Sequence, residues 1–281
     1  MSARRIALVF ALALFGCDDG AGTDAGAMDS GARDAGGLVD AGDDVDAGIR
    51  VDAGSADGGG ELDAALGEDA GTPFGTIGGA CGVLDDELTS PSAFVFEETI
   101  VVPAGGIEAM RLGVGARRIL AEPNAGGSSR YSEALAFEIL EQCEGASLIA
   151  TENEVMYMSP NPPAKTDFLS RIDGLQIGVS VTRGFSFSGL CMPSGALTAT
   201  AAESLLRDKL MDVVDASMAV ATVHRWQKEI IVALVDDPSI SMTMLDAWNG
   251  IEAVTRGDTI LIVVTTSGAD NQVYFEDRCA P

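Results

Sequence analysis

Residues 229–235 read EIIVALV: one acid, then six apolar residues without a break. A strand with one face in water alternates apolar and polar residues. A continuous run of this length predicts a strand covered on both faces. Residues 259–265, TILIVVT, repeat the pattern. Two such strands need layers above and below them, which predicts an α/β or α+β fold with a mixed central sheet flanked by helices.

The segments on either side supply those layers. Tyr131, Leu135, Ile139 and Cys143 recur every four residues, so Ser132–Glu144 reads as a helix, with Ser128 or Ser129 placed to cap it. A long helix starts at Ala201. Thr200-Ala-Ala-Glu203 matches a capping box, Glu203 and Arg207 form an i,i+4 pair, and Leu206, Leu210, Val213, Ser217 and Ala221 line one stripe. Met242–Glu252 reads as a third helix. Strands are expected at Ser92–Pro103, Glu108–Val114, Ser147–Met158, Asp167–Leu169, Gln176–Phe187 and Gln272–Phe275, with a proline-rich turn at Ser159–Pro163. The order is helix-strand-strand-strand-helix-strand, then helix-strand-strand.

The first half of that order, Ser132 to Val235, resembles the common core of the restriction-endonuclease-like PD-(D/E)XK superfamily. The resemblance implies an Asp on the second strand, a (D/E)-x-K on the third and a Glu on the first helix. The acids would hold Mg²⁺ and the Lys would steady the attacking water. Lys165-Thr166-Asp167 offers Asp167, and Glu133 is the helix acid. The third strand, Ile177 to Arg183, departs from the pattern. Ser180 stands where the second acid belongs and Thr182 where the Lys belongs; Arg183 points to the other face. Glu154 on the first strand is the candidate substitute. The metal set implied is therefore Glu133, Glu154 and Asp167, with Mg²⁺ as cofactor. The competing reading makes Asp167 a solvated turn residue and Glu133 a first-turn acid favoured by the helix dipole.

Other patterns carry less chemistry. Gly127, Ser128, Ser129 and Arg130 precede a helix and form a candidate anion site, with Arg117 and Arg118 nearby in sequence. Gly113-Val-Gly115 lacks the third glycine of a dinucleotide loop, because Arg118 occupies that place. His224 is the one histidine and no nucleophile-elbow motif accompanies it, so no Ser-His-acid triad is expected. Trp226 and Trp248 read as core, and Met156 and Met158 as one strand face.

The start of the chain sets the compartment. Arg4 and Arg5 precede the apolar run Ile6–Phe15, which is too short to span a bilayer and reads as a secretory signal. Leu14-Phe-Gly-Cys17 resembles the lipobox of bacterial lipoproteins, which implies that Cys17 is acylated and becomes the mature N-terminus. Residues 18–72 hold 15 acidic and two basic side chains and six copies of Asp-Ala-Gly. An EF-hand starting at Asp44 fails, since Gly48 and Ser55 occupy its fifth and twelfth positions. Collagen fails because Gly is not at every third residue. What remains is a disordered acidic spacer with an r.m.s. span of roughly 40 Å. Such spacers resemble those of myxobacterial lipoproteins in composition.

Residues 73–281 then form a single globular domain. It carries 28 acidic and 13 basic residues, part of a net charge of −26, so nucleic acid is not an expected partner. Four cysteines lie beyond Cys17: Cys81, Cys143, Cys191 and Cys279. In an exported chain an even number reads as two disulfides, in any of three connectivities. Cys81–Cys279, tying the ends, with Cys143–Cys191 is the favoured set. With no Cys-x-x-Cys, zinc is not expected. The sequence thus predicts an extracytoplasmic protein, lipid-anchored to a bacterial membrane. Its domain is expected to be a non-enzymatic binding or scaffold module without cofactor, its partner an envelope protein or a small ligand. The alternative is a metal-dependent phosphodiester hydrolase.

Overall fold

Residues 228–235 lie at the centre of a seven-stranded mixed sheet. The computed structural model describes residues 74–122, 130–185 and 197–275. The signal and Cys17, the acidic segment 18–72, Gly127, Ser128, Ser129, Cys191 and Cys279 lie outside the described residues.

The chain runs β1 (Thr76–Gly79), β2 (Phe94–Val102), α1 (Gly106–Ala109), α2 (Val114–Ala121), α3 (Arg130–Glu144), β3 (Ser147–Thr151), β4 (Phe168–Ile172) and β5 (Leu175–Arg183). It continues with α4 (Ala199–Ala219), β6 (Lys228–Val235), α5 (Pro238–Gly250), α6 (Ala253–Arg256), β7 (Ile260–Gly268) and α7 (Asn271–Tyr274). The strands lie in the order β1-β2-β7-β6-β5-β4-β3. The inner four, β2, β7, β6 and β5, are mutually parallel; β1 runs antiparallel to β2, β4 to β5 and β3 to β4. The outermost strands are short, and β3 carries a register shift between Leu148 and Ala150.

The expected covering of both faces is present. All eight residues of β6 are buried. Ile230, Val232 and Leu234 pack into a core with Leu135, Phe137 and Ile139 of α3. Ile231, Ala233 and Val235 face the other way, into a core with Leu206 and Leu210 of α4 and Met244 and Trp248 of α5. A third cluster, Val155, Leu169, Ala216, Val220 and Trp226, closes the end near β3 and β4. Among the described residues no helix is long and apolar enough to cross a membrane.

Local rules explain most boundaries. α4 is capped by Thr198, whose side chain accepts from Ala201 N at 3.2 Å, so the cap lies two residues before the expected Thr200. Its buried stripe is Leu206, Leu210, Val213, Ala216 and Val220, not Ser217 and Ala221. Asp237 caps α5 by accepting from Ser239 N at 2.7 Å, with Pro238 at the first helical position, which starts that helix four residues before Met242. Asp173 (φ 48°) and Gly174 (φ 82°) form the two-residue turn joining β4 to β5. This is the Asp-Gly pair that a primed hairpin turn needs.

Three expected strands are corrected. Glu108–Val114 is not extended: Gly105 and Gly106 take φ of 99° and 72°, and the chain turns through α1. Gln272–Phe275 gives way to α7, whose Val273 and Tyr274 carbonyls accept from Arg183 Nη1 at 3.5 and 3.4 Å. Four residues were too few for periodicity to separate strand from helix. The strand from Ser147 stops at Thr151, whose carbonyl accepts from Glu154 N and Val155 N in a turn.

The favoured disulfide set is also corrected. Cys81 is bonded to Cys143, not to Cys279. The reason is local. Cys143 ends α3 beside Glu144, whose carboxylate accepts from the amides of Gly82, Val83 and Leu84 at 2.8, 3.2 and 3.1 Å. That grip brings the loop after β1 onto the end of α3.

α2, which the sequence reading passed over, packs on α3 through Gly115. A Cβ there would lie 2.2 Å from Phe137 Cε1 and 2.4 Å from Cζ. Gly115→Ala should therefore destabilise the domain by about 1–3 kcal/mol, although Ala is the better helix former by about 1 kcal/mol. Urea unfolding checks this, and a stabilised variant would mean that the two helices are not in this contact.

Candidate functional site

The third strand of the expected nuclease-like core is β5, and its register places the chemistry. Gly178 lies opposite Glu229 of β6, and Ser180 lies two residues further along the same face. With no side chain on Gly178, the Glu229 carboxyl folds over it: a Cβ there would stand 2.2 Å from Glu229 Oε2 and 2.9 Å from the Trp226 ring. Ser180 Oγ donates to Glu229 Oε1 at 3.0 Å. Thr166 Oγ1 lies 3.2 Å from the same oxygen and 2.9 Å from the Val179 carbonyl. One hydroxyl proton cannot serve both acceptors. A proton on Glu229 resolves this, because the carboxyl then donates to Thr166 while Thr166 donates to Val179. Glu229 Oε2 is buried with no hydrogen-bond partner. Burial accordingly pushes Glu229 up to about 8, with the Asp167 charge adding to the rise and Ser180, Thr166 and Lys209 opposing it.

Asp167 sits one residue before β4, where the resemblance puts its first acid. Phe168 turns toward Phe137 of α3, with ring centroids 5.6 Å apart, so Asp167 points to the opposite face, under α4. It is half-buried rather than fully solvated. Its Oδ2 accepts from Val181 N at 2.5 Å. Burial raises its pKa, Lys209 of α4 and the Val181 amide oppose the rise, and Asp212 adds to it. Tyr157 completes the enclosure: its hydroxyl accepts from Thr166 N at 2.8 Å, and burial pushes it up to about 12.

The other expected acids lie elsewhere. Glu133 is buried on α3, in a recess lined by Ile119, Glu122, Arg130, Thr151 and Glu152. Glu154 is half-exposed. It pairs with Arg118 and accepts from Thr151 N at 3.0 Å; the Arg118 hydrogen bond holds its pKa low. Glu133 therefore stands on the α3 side of the sheet while Asp167 stands on the α4 side. Among the described residues no group of three or more His, Cys, Asp or Glu is placed to hold a metal ion. Of the candidate anion site, Arg130 is described: its guanidinium lies 4.9 Å over the Tyr131 ring and in the same recess as Glu133. His224 accepts from Met156 N at 2.9 Å through Nδ1, a structural role. Trp226 and Trp248 are core, as expected.

Sequence reasoning missed Glu229 as a chemical group. The signal was present: an acid at the head of a strand buried on both faces must find partners inside the fold.

No family model matches the chain. It is 37% identical over 152 residues, 53% of its own length, to the AAC-rich mRNA clone AAC4 protein of Dictyostelium discoideum, of which it spans only 22%. Among solved structures it is similar to Pyrococcus furiosus SfsA in complex with Ca²⁺, at 15% identity, a TM-score of 0.24, and coverage of 61% of this chain and 78% of that one. A score that low carries no argument, so the chain stands as a mixed α/β domain known by its own geometry.

Proposed function

We propose that this is a lipid-anchored protein of a bacterial cell envelope, held at Cys17 and spaced from the membrane by residues 18–72, whose domain binds a partner without turning it over. The observation that carries the binding reading is a contrast across one helix. On the inner side of α4, Asp167 and Glu229 are spent on hydrogen bonds inside the fold, and Ser180 and Thr182 occupy the remaining motif positions. On the outer side, Met211, Val214 and Met218 are 58, 51 and 64% exposed. Acids already engaged by the fold are poorly placed for a substrate, whereas exposed apolar side chains in a row favour a partner. Cell fractionation tests the anchor. The native chain should stay with membranes until detergent is added, and Cys17→Ser should move it to the soluble fraction. Release of the native chain without detergent would overturn the anchor.

One observation favours the hydrolase as a second reading. Glu229 supplies, from the neighbouring strand, a carboxyl beside Ser180, and Lys209 acts on both Asp167 and Glu229. An acid, acid and lysine set is thereby reassembled from three elements. Isothermal titration with Mg²⁺ or Mn²⁺ separates the readings: uptake lost in Asp167→Asn supports the hydrolase, and no uptake by the native chain removes it.

A further inference from the structure

We infer that the outer face of α4 is a docking surface for a cationic amphipathic segment of another protein. This rests on the binding reading and names its partner class. Met211, Val214 and Met218 recur at i, i+3 and i+7, on the side of α4 opposite its buried stripe. The surface continues past the helix. Met158 N donates to Ala219 O and Ala221 N donates to Met156 O, both at 2.8 Å, while Tyr157 bridges to Val220. With Tyr157 turned into the core, Met156 and Met158 point outward beside the helix end, 56 and 69% exposed, and Val223 follows at 59%. Four methionines among six apolar residues make a soft, adaptable surface that fits varied apolar contacts.

Charge decides the occupant. Asp208, Asp212 and Asp215 lie along the helix directly beside the Met–Val row, with Asp208 and Asp212 exposed. The two cations in these turns are committed elsewhere. Arg207 pairs with Glu203 at 2.8 Å and Glu252 at 2.9 Å, and Lys209 stands next to the buried Leu210, on the flank of the helix away from the Met–Val row. A second copy would set acid against acid, and so would an anionic bilayer. A helix with apolar residues on one side and Lys or Arg on its flanks matches both the row and the ridge.

The probe is a fluorescein-labelled 18-residue Leu/Lys amphipathic helix, titrated into the full chain carrying Cys17→Ser. Saturable binding is expected, with affinity at least tenfold weaker in Met211→Gln/Met218→Gln and in Asp208→Asn/Asp212→Asn/Asp215→Asn. Only the second set should flatten the salt dependence. Val254→Gln, exposed elsewhere on α6, should change nothing, and thermal unfolding should confirm that every variant folds. A scrambled peptide of equal composition binding equally well would overturn the proposal, since the acidic segment 18–72 alone would then account for the attraction. Insensitivity to the methionine pair would overturn it in the same way. Should the peptide fail while the methionine pair abolishes self-association in sedimentation, or flotation with phosphatidylglycerol vesicles, this partner falls and the binding reading stands. Failure of all three removes both.

Discussion

Raising the pH from 5 to 9 should lower the stability of the domain by several kcal/mol, and Glu229→Gln should remove the larger part of that loss. The sign follows from proton binding. Glu229 titrates near 8 in the folded protein against an ordinary value of 4.5. Between those values the folded state keeps a proton that the unfolded chain has released. The stabilisation is therefore complete below about pH 4.5 and declines until pH has passed 8. At about 1.4 kcal/mol per unit, the swing is on the order of 5 kcal/mol, a large part of the roughly 5–15 kcal/mol that holds a domain folded. Glu98 adds a second loss in the same direction. Burial, with the Glu144 charge behind it, pushes Glu98 up to about 7, so its share of about 3 kcal/mol is lost between pH 4.5 and 7. Asp167, raised by burial, acts the same way. Urea midpoints at pH 5, 7 and 9 decide the matter. The Gln variant should be close to the native chain in stability at pH 5, where its neutral amide stands in for the protonated carboxyl. At pH 9 it should be clearly more stable. Parallel curves for the two proteins would show that Glu229 does not carry the buried proton.

Loss of the Cys81–Cys143 bond should be the other large effect. The bond closes a loop with a sequence separation of 62 residues. Opening it returns about 4 kcal/mol of chain entropy to the unfolded state. Cys81→Ala/Cys143→Ala and dithiothreitol treatment of the native chain should lower the urea midpoint alike. Glu144→Ala, which releases three amides but leaves the cross-link, should cost less. An unchanged midpoint in the double variant would mean that the clamp by Glu144 alone sets the local fold. Non-reducing peptide mapping should recover Cys81 linked to Cys143.

The layers of this protein were legible because they rest on patterns that few alternatives satisfy. EIIVALV admits little besides a strand buried on both faces, and β6 is one. The four-residue beat from Tyr131 to Cys143 gave α3. Glu203 and Arg207 meet at 2.8 Å as a helical pair should. The Asp173-Gly174 turn was equally legible and was overlooked. The site is a different matter. Glu229 reads locally as an acid at a strand boundary. It becomes a buried proton carrier only through Gly178 and Ser180 of β5 and Thr166 before β4, which two other stretches of chain deliver. Lys228 beside it is hidden for a comparable reason: its Nζ reaches the carbonyls of Ser90 and Ser92 at 2.6 and 3.1 Å. The cysteine pairing depended on where the loop after β1 comes to rest, and spacing alone does not encode that.

The two outer strands have a consequence wherever the protein is crowded by its own kind. Four residues of β1 and a bulged five of β3 offer an incoming chain little continuous backbone to pair with. Growth by adding strand to strand, edge to edge, is thus discouraged at both borders. The docking surface proposed on α4 would accordingly work through side chains rather than through strand pairing.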